Sequence, residues 1–115
     1  MSDAPSIFTK IINREIPAEI LFENERIIAI RDIAHQAPVH LLVVPKTQQY
    51  PNVTALAAGD PGLLAEIVAT AHNLATVHSN GEYRLVFNTG ETAGQTVFHV
   101  HAHMLSGGLE EHTLA

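Results

Sequence analysis

Seven residues near the carboxyl end of the chain alternate histidine with apolar residues, reading His-Val-His-Ala-His-Met-Leu over positions 99–105. A repeat of two is the pattern of a β-strand, because successive side chains of a strand point to opposite faces. We therefore predict a strand over residues 97–105 that presents His99, His101 and His103 on one face. The alternate positions are apolar and are expected to lie on the core: Phe98, Val100, Ala102 and Met104.

The predicted row of imidazoles is extended. At a rise of about 3.3 Å per residue, neighbouring histidines would stand about 7 Å apart and the outer two about 13 Å. Zinc–nitrogen bonds are only about 2.0–2.1 Å long, so one ion cannot bind all three rings, although two of them could share a metal. The row fits an elongated polar ligand better, such as a phosphate together with its leaving group.

The composition is that of a small globular domain, because 46% of the 115 residues are hydrophobic. No apolar stretch reaches the roughly 18 residues that a membrane span needs, and the amino terminus lacks the features of a secretory signal. We therefore expect a cytoplasmic protein. The absence of cysteine removes thiolate nucleophiles and disulfides. The net charge is −6 with the basic residues scattered, which argues against a nucleic-acid partner.

Local patterns predict an α+β fold in which a five-stranded antiparallel sheet carries two helices. Ser6 is a candidate helix cap, and the apolar stripe that follows it ends at Ile16-Pro17. Asp60-Pro61 starts a second helix, which is expected to stop at Gly81. The predicted strands cover residues 19–23, 26–32, 37–45, 83–88 and 97–105.

The histidine row resembles the signature of the histidine triad family, in which three histidines alternate with apolar residues. Three further segments are similar to the Hint branch of that family: residues 31–40, 87–90 and 94–99. The resemblance covers the chain from Ile7 to about Gly108 and leaves a short tail over 109–115. It implies one histidine triad domain over residues 1–115.

Members of this family are nucleotidyl hydrolases and transferases, and the Hint branch splits purine nucleoside phosphoramidates as a homodimer. The resemblance therefore implies a phosphoramidase that binds a small purine nucleotide. We expect it to need no metal or other cofactor, because the chain has no cysteine and the span of the row prevents one ion from binding all three rings. The same signature leaves three alternatives open. These are a hydrolase of dinucleoside polyphosphates, a non-catalytic regulator that binds adenine nucleotides, and a zinc protein built on two triad histidines and His40.

His101 is central on the row and is the natural nucleophile, since a neutral imidazole attacks phosphorus well near its usual pKa of about 6.5. Attack would give a covalent nucleotidyl-histidine. The resemblance implies that the backbone carbonyl of His99 holds the other ring nitrogen. It places His103 and Thr96 at the phosphate and leaving group, with His40 nearby.

The resemblance also implies a nucleotide-binding set. Asp32 would accept the ribose hydroxyls, Ile33 would contact the base and Asn88 would touch the sugar–phosphate. The amides around Gly94, Gln95 and Thr96 would donate to phosphate oxygens, because glycine permits close approach of the backbone.

Taken one by one, several of these residues could have a purely structural role instead of a functional one. His40 stands in an apolar strand, where a histidine with one hydrogen bond is common. Asp32 could start a turn, and Gly90 and Gly94 could serve a hairpin loop. Two departures from the Hint pattern concern the substrate: the tail has no aromatic residue, and Thr96 stands where serine is more typical. Both leave the predicted nucleophile unchanged and the identity of the amine open.

Overall fold

The computed structural model describes residues 4–33 and 37–111. These residues form one five-stranded antiparallel sheet of order β1-β2-β3-β5-β4, with three α-helices. In chain order the elements are α1 (Ile7–Ile12), β1 (Ile20–Glu23), β2 (Ile27–Arg31), β3 (Val39–Pro45), α2 (Val53–Gly59), α3 (Pro61–His78), β4 (Arg84–Val86) and β5 (Ala102–Ser106). The predicted α+β class and five-stranded antiparallel sheet are confirmed. Within the described residues, no helix is both long and apolar enough to cross a membrane.

The prediction of two helices is wrong, because α2 is a third one. Asn52 caps it, with its side chain accepting a hydrogen bond from the amide of Ala55. The helix has seven residues, and only Leu56 is buried. One buried residue cannot produce a helical repeat of apolar positions, so the sequence pattern did not indicate this helix. The two predicted helix starts are confirmed, since Ser6 caps α1 and Asp60 caps α3.

Both faces of the central strands are covered. The α3 face buries alternate residues of β2 and β3, including Ile27 and Val43, against Ile67 and other residues of the helix. On the opposite face, Phe8 and Ile11 of α1 pack with a second set, comprising Ile28, Ile30, Leu42 and Val44. A strand that is buried on both faces reads as a continuous apolar run, which explains the composition of β2 and β3.

The histidine segment departs from the predicted strand over residues 97–105. The strand β5 begins only at Ala102, so His103 lies on the sheet whereas His99 and His101 precede it. The amide of Val100 donates to the carbonyl of Tyr50, which lies outside the strands. Val100, Ala102 and Met104 are buried as expected, but Phe98 is 50% exposed because the chain has left the regular pleat there.

Candidate active site

His99 is completely buried, and both of its ring nitrogens have partners. Nε2 lies 2.7 Å from the carbonyl oxygen of Pro45, and Nδ1 lies 2.6 Å from Oγ of Ser6. A carbonyl oxygen can only accept, so Nε2 carries the proton and Nδ1 accepts from the Ser6 hydroxyl. Burial lowers the pKa of His99, which keeps this ring neutral.

His101 has one ring nitrogen held and the other available. Its Nδ1 lies 2.9 Å from the carbonyl oxygen of His99 and must donate to it, which leaves an unprotonated Nε2 on the neutral ring. This is the contact that the family resemblance implies. Burial lowers the pKa of His101, opposed by that hydrogen bond and by the negative charge of Asp32. The neutral, nucleophilic form is therefore the favoured one at neutral pH.

The phenyl ring of Phe8 forms an apolar wall beside these two histidines. Its centroid lies 4.9 Å from that of His101 and 5.6 Å from that of His99, with an edge-on arrangement toward His99. The helix α1 thereby contributes an apolar side chain to the site, although its sequence shows no catalytic motif. Sequence reasoning missed Phe8, because an apolar residue in an amphipathic helix is indistinguishable from any other core residue.

His103 faces His40 across the sheet. Nδ1 of His103 lies 2.9 Å from Nε2 of His40, which in turn lies 3.5 Å from Oδ2 of Asp32. The two rings are 5.2 Å apart between centroids, close to the sum of the N–N distance and the two ring radii. The two nitrogens therefore point at each other. The pKa of His103 is lowered to about 4. Burial is the largest cause, followed by the neighbouring charges of His101 and His40.

The same three side chains offer one donor atom each within 4.8 Å, a grouping that could hold a metal ion. Asp32, His40 and His103 supply a suitable ligand chemistry for zinc. However, the nitrogens of His40 and His103 point at each other instead of converging on a third point. That geometry fits a proton shared between the two nitrogens. Binding of a cation would require at least one of the two rings to rotate away from the other. The expected absence of a metal stays a prediction.

The loop before the triad is held by Gln95, whose side chain is 3% exposed. Its amide nitrogen donates to the carbonyls of Pro51 and Val97, and its Oε1 accepts from the amide of Gly90 at 2.8 Å. The amides of Gly94 and Gln95 donate within the loop, to the carbonyls of Glu91 and Gly90. Gly94 has a φ of +93°, a conformation that favours glycine. The backbone amide of Thr96 is the third of the amides predicted to bind phosphate. It donates no hydrogen bond to another of the described residues.

The predicted base-binding residue stands beside the acidic one. Ile33 is 96% exposed, next to the half-buried Asp32. An apolar side chain so open to solvent suits contact with a flat purine. Asn88 follows the end of β4 and is half-buried. Residues 34–36 of the segment that resembles the Hint nucleotide site, and residues 112–115 of the tail, lie outside the described residues.

Comparisons with known proteins identify relatives over most of the chain. The family model described as scavenger mRNA decapping enzyme C-term binding matches residues 5–114. An uncharacterized HIT-like protein of Synechococcus elongatus is 47% identical over 103 residues, which is 89% of this chain and 90% of that protein. The purine nucleoside phosphoramidase of Escherichia coli is 38% identical over 104 residues, covering 89% of this chain and 87% of its own. A solved HIT family hydrolase from Clostridium thermocellum superimposes with a TM-score of 0.86, at 40% identity over 98% of both chains.

The sheet, the histidine row and these relatives define a hydrolase of the histidine triad type. The chain belongs to the histidine triad family.

Proposed function

We propose that this protein hydrolyses purine nucleoside phosphoramidates of the adenosine 5'-phosphoramidate type, through a covalent nucleotidyl intermediate on His101. The observation that carries the proposal is the 2.9 Å hydrogen bond from Nδ1 of His101 to the His99 carbonyl. It orients the ring and leaves the lone pair of Nε2 as the nucleophile. The name of the Escherichia coli relative supports this choice of substrate.

In the first step, Nε2 of His101 attacks the α-phosphorus, a new phosphorus–nitrogen bond forms and the bond to the leaving amine breaks. The amine must take up a proton to leave. The His40–His103 pair is suited to supply it when it carries one extra proton, with the Asp32 carboxylate beside it. The phosphate of a bound nucleotide favours that protonated form, because its negative charge opposes the effect of burial on the pKa of His103.

In the second step, water attacks the same phosphorus and the bond to Nε2 of His101 breaks. The proton lost by the water returns to the His40–His103 pair, so the pair ends as it began. The net products are the free amine and a nucleoside monophosphate. The amide and hydroxyl of Thr96 are proposed to hold the phosphate oxygens during both steps, as preorganised donors.

The proposed nucleotide half of the site includes Asp32, which lies beside the His40–His103 pair. A fifth of the Asp32 side chain is accessible, and Ile33 beside it is open to solvent. We propose that Asp32 accepts from the ribose hydroxyls while Ile33 and Asn88 contact the purine and the sugar–phosphate. Asp32 would then bind the nucleoside and also face the proton-donating pair.

The experiment compares turnover of adenosine 5'-phosphoramidate, its guanosine analogue and a dinucleoside polyphosphate under identical conditions. We expect the phosphoramidates to be cleaved faster, with a rapid burst of amine that is stoichiometric with enzyme when the intermediate forms faster than it breaks down. Faster cleavage of the dinucleoside polyphosphate would replace the proposed substrate class. Tight nucleotide binding without turnover of any substrate would identify a regulator instead.

A further inference from the structure

A hydrogen-bonded set of partly buried polar side chains joins the start of α1 to the buried first histidine of the row. It consists of Ser6, Thr9, Gln48 and His99. Oγ of Ser6 lies 2.6 Å from Nδ1 of His99 and also accepts from the amide of Thr9 at 3.1 Å, as the helix cap. One hydroxyl therefore serves both the helix and the histidine.

Gln48 holds the other side of this cluster. Its Oε1 accepts from the hydroxyl of Thr9 at 2.6 Å and from the amide of Ser6 at 3.0 Å. Its side-chain nitrogen donates to the carbonyl of Ala4 at 3.1 Å. The start of α1 is thereby fixed by hydrogen bonds on both sides of Ser6, which limits the positions that the Ser6 hydroxyl can take.

The direction of each hydrogen bond at His99 follows from its partners. The Pro45 carbonyl can only accept, so the proton of the neutral ring is on Nε2. Nδ1 must then accept, and the Ser6 hydroxyl is its donor. The ring is held between the end of β3 and the start of α1, with no freedom to rotate or to change tautomer without losing a buried hydrogen bond.

The backbone of His99 depends on this ring because it has little other support. Residues 97–101 lie outside the strand ladder, and Val100 donates to the carbonyl of Tyr50. The carbonyl of His99 is nevertheless the acceptor for Nδ1 of His101. Fixing the His99 side chain therefore fixes the group that orients the neighbouring imidazole.

We infer that Ser6 is a positioning residue for the nucleophile: its hydroxyl holds His99, whose carbonyl sets the tautomer and direction of His101. The inference rests on the proposed function of His101. Ser6 itself touches no reacting atom. Phe8, two residues further along α1, packs against both histidine rings and supports the same arrangement.

The test compares Ser6→Ala with Ser6→Thr, which keeps the hydroxyl. We expect Ser6→Ala to lower kcat about tenfold with KM changed less than twofold, because substrate contacts are untouched while the nucleophile is less well oriented. Ser6→Thr should keep most of the activity. Asp60→Ala is the matched control: it removes the cap of α3 and an ion pair with Arg26, neither of which involves a triad histidine, and should lower stability without changing kcat.

Nitrogen-15 NMR of the imidazoles gives a readout that needs no substrate. In the wild type we expect the Nε2–H tautomer for His99 and the Nδ1–H tautomer for His101. Ser6→Ala should shift His101 toward a mixture of tautomers. Ser6→Asp is a second variant that should keep the fold, since aspartate caps a helix as well as serine does. Its carboxylate has no proton to donate to Nδ1 of His99. This variant should therefore raise the pKa of His99 and disturb the His101 tautomer.

Unchanged His101 tautomers together with a kcat within twofold of wild type would overturn the inference and reduce Ser6 to a helix cap. A wild type that fails to cleave phosphoramidates would contradict the proposed function instead. In that case the tautomer of His101 in Ser6→Ala still decides the positioning role.

Discussion

His40 and His103 occupy diagonal positions on two neighbouring strands, which brings Nε2 of His40 to 2.9 Å from Nδ1 of His103. In the antiparallel pairing of β3 with β5, His40 lies opposite Leu105 and His103 lies opposite Leu42. Both imidazoles therefore point to the α1 face of the sheet, where Leu42 is buried. A shift of the register by one residue would turn one ring to the opposite face. The contact between His40 and His103 therefore depends on the observed pairing of β3 with β5.

Replacing the proposed nucleophile should remove turnover while leaving the fold intact. We expect His101→Ala to lower kcat by more than about a thousandfold, because only this side chain would form a bond to phosphorus. Nucleotide affinity should change little, since the proposed binding contacts lie on other residues. Steady-state kinetics and calorimetric titration with a nucleoside monophosphate measure the two effects. His72→Ala, at an exposed position of α3, is the control. Activity within tenfold of wild type would assign the attack to another group.

The free energy of unfolding should fall as the pH is lowered from about 7 toward 4. The pKa of each triad histidine is below its usual 6.5, and that of His103 is about 4. The unfolded chain therefore binds more protons than the folded chain across this window, and linkage requires stability to rise with pH there. Urea denaturation at a series of pH values measures the slope. His103→Gln should reduce it, whereas His72→Gln should not. An equal slope in His103→Gln would contradict the proposed environment of His103.

Metal chelators should leave the activity unchanged to within about twofold, because the proposed mechanism uses imidazoles and backbone donors where other hydrolases use a cation. The protein is best purified without a histidine tag, and its metal content measured by mass spectrometry before and after chelation. Loss of activity on chelation with recovery on addition of zinc would assign a metal to Asp32, His40 and His103, the grouping that could accept one.

We expect the protein to form a homodimer in solution, as the family resemblance implies. Among the described residues, β4 is an edge strand of the sheet, paired on one side with β5. An unpaired strand edge is suited to association with a second copy. Sedimentation equilibrium at micromolar concentration measures the mass, and the chain mass of 12.5 kDa would contradict the prediction.

Local signals in the sequence were enough for much of the fold. Ser6 and Asp60 carry short polar side chains just before apolar helical stripes, and both cap helices as predicted. The apolar runs that became β2 and β3 were equally clear, because burial on both faces leaves little room for polar residues. The helix α2 was missed, since a single buried residue, Leu56, gives no periodicity to detect.

The histidine spacing by itself determined that this segment would combine an apolar face with a row of imidazoles, because alternation is a local property of an extended chain. Only the tertiary structure decided what each imidazole meets. Ser6 and His99 are 93 residues apart, and His40 and His103 are 63 apart. Their hydrogen bonds select the tautomers and the proton-sharing partner. The buried surroundings that lower the pKa values come from packing of distant elements, because desolvation depends on everything around a group and not on its neighbours in sequence.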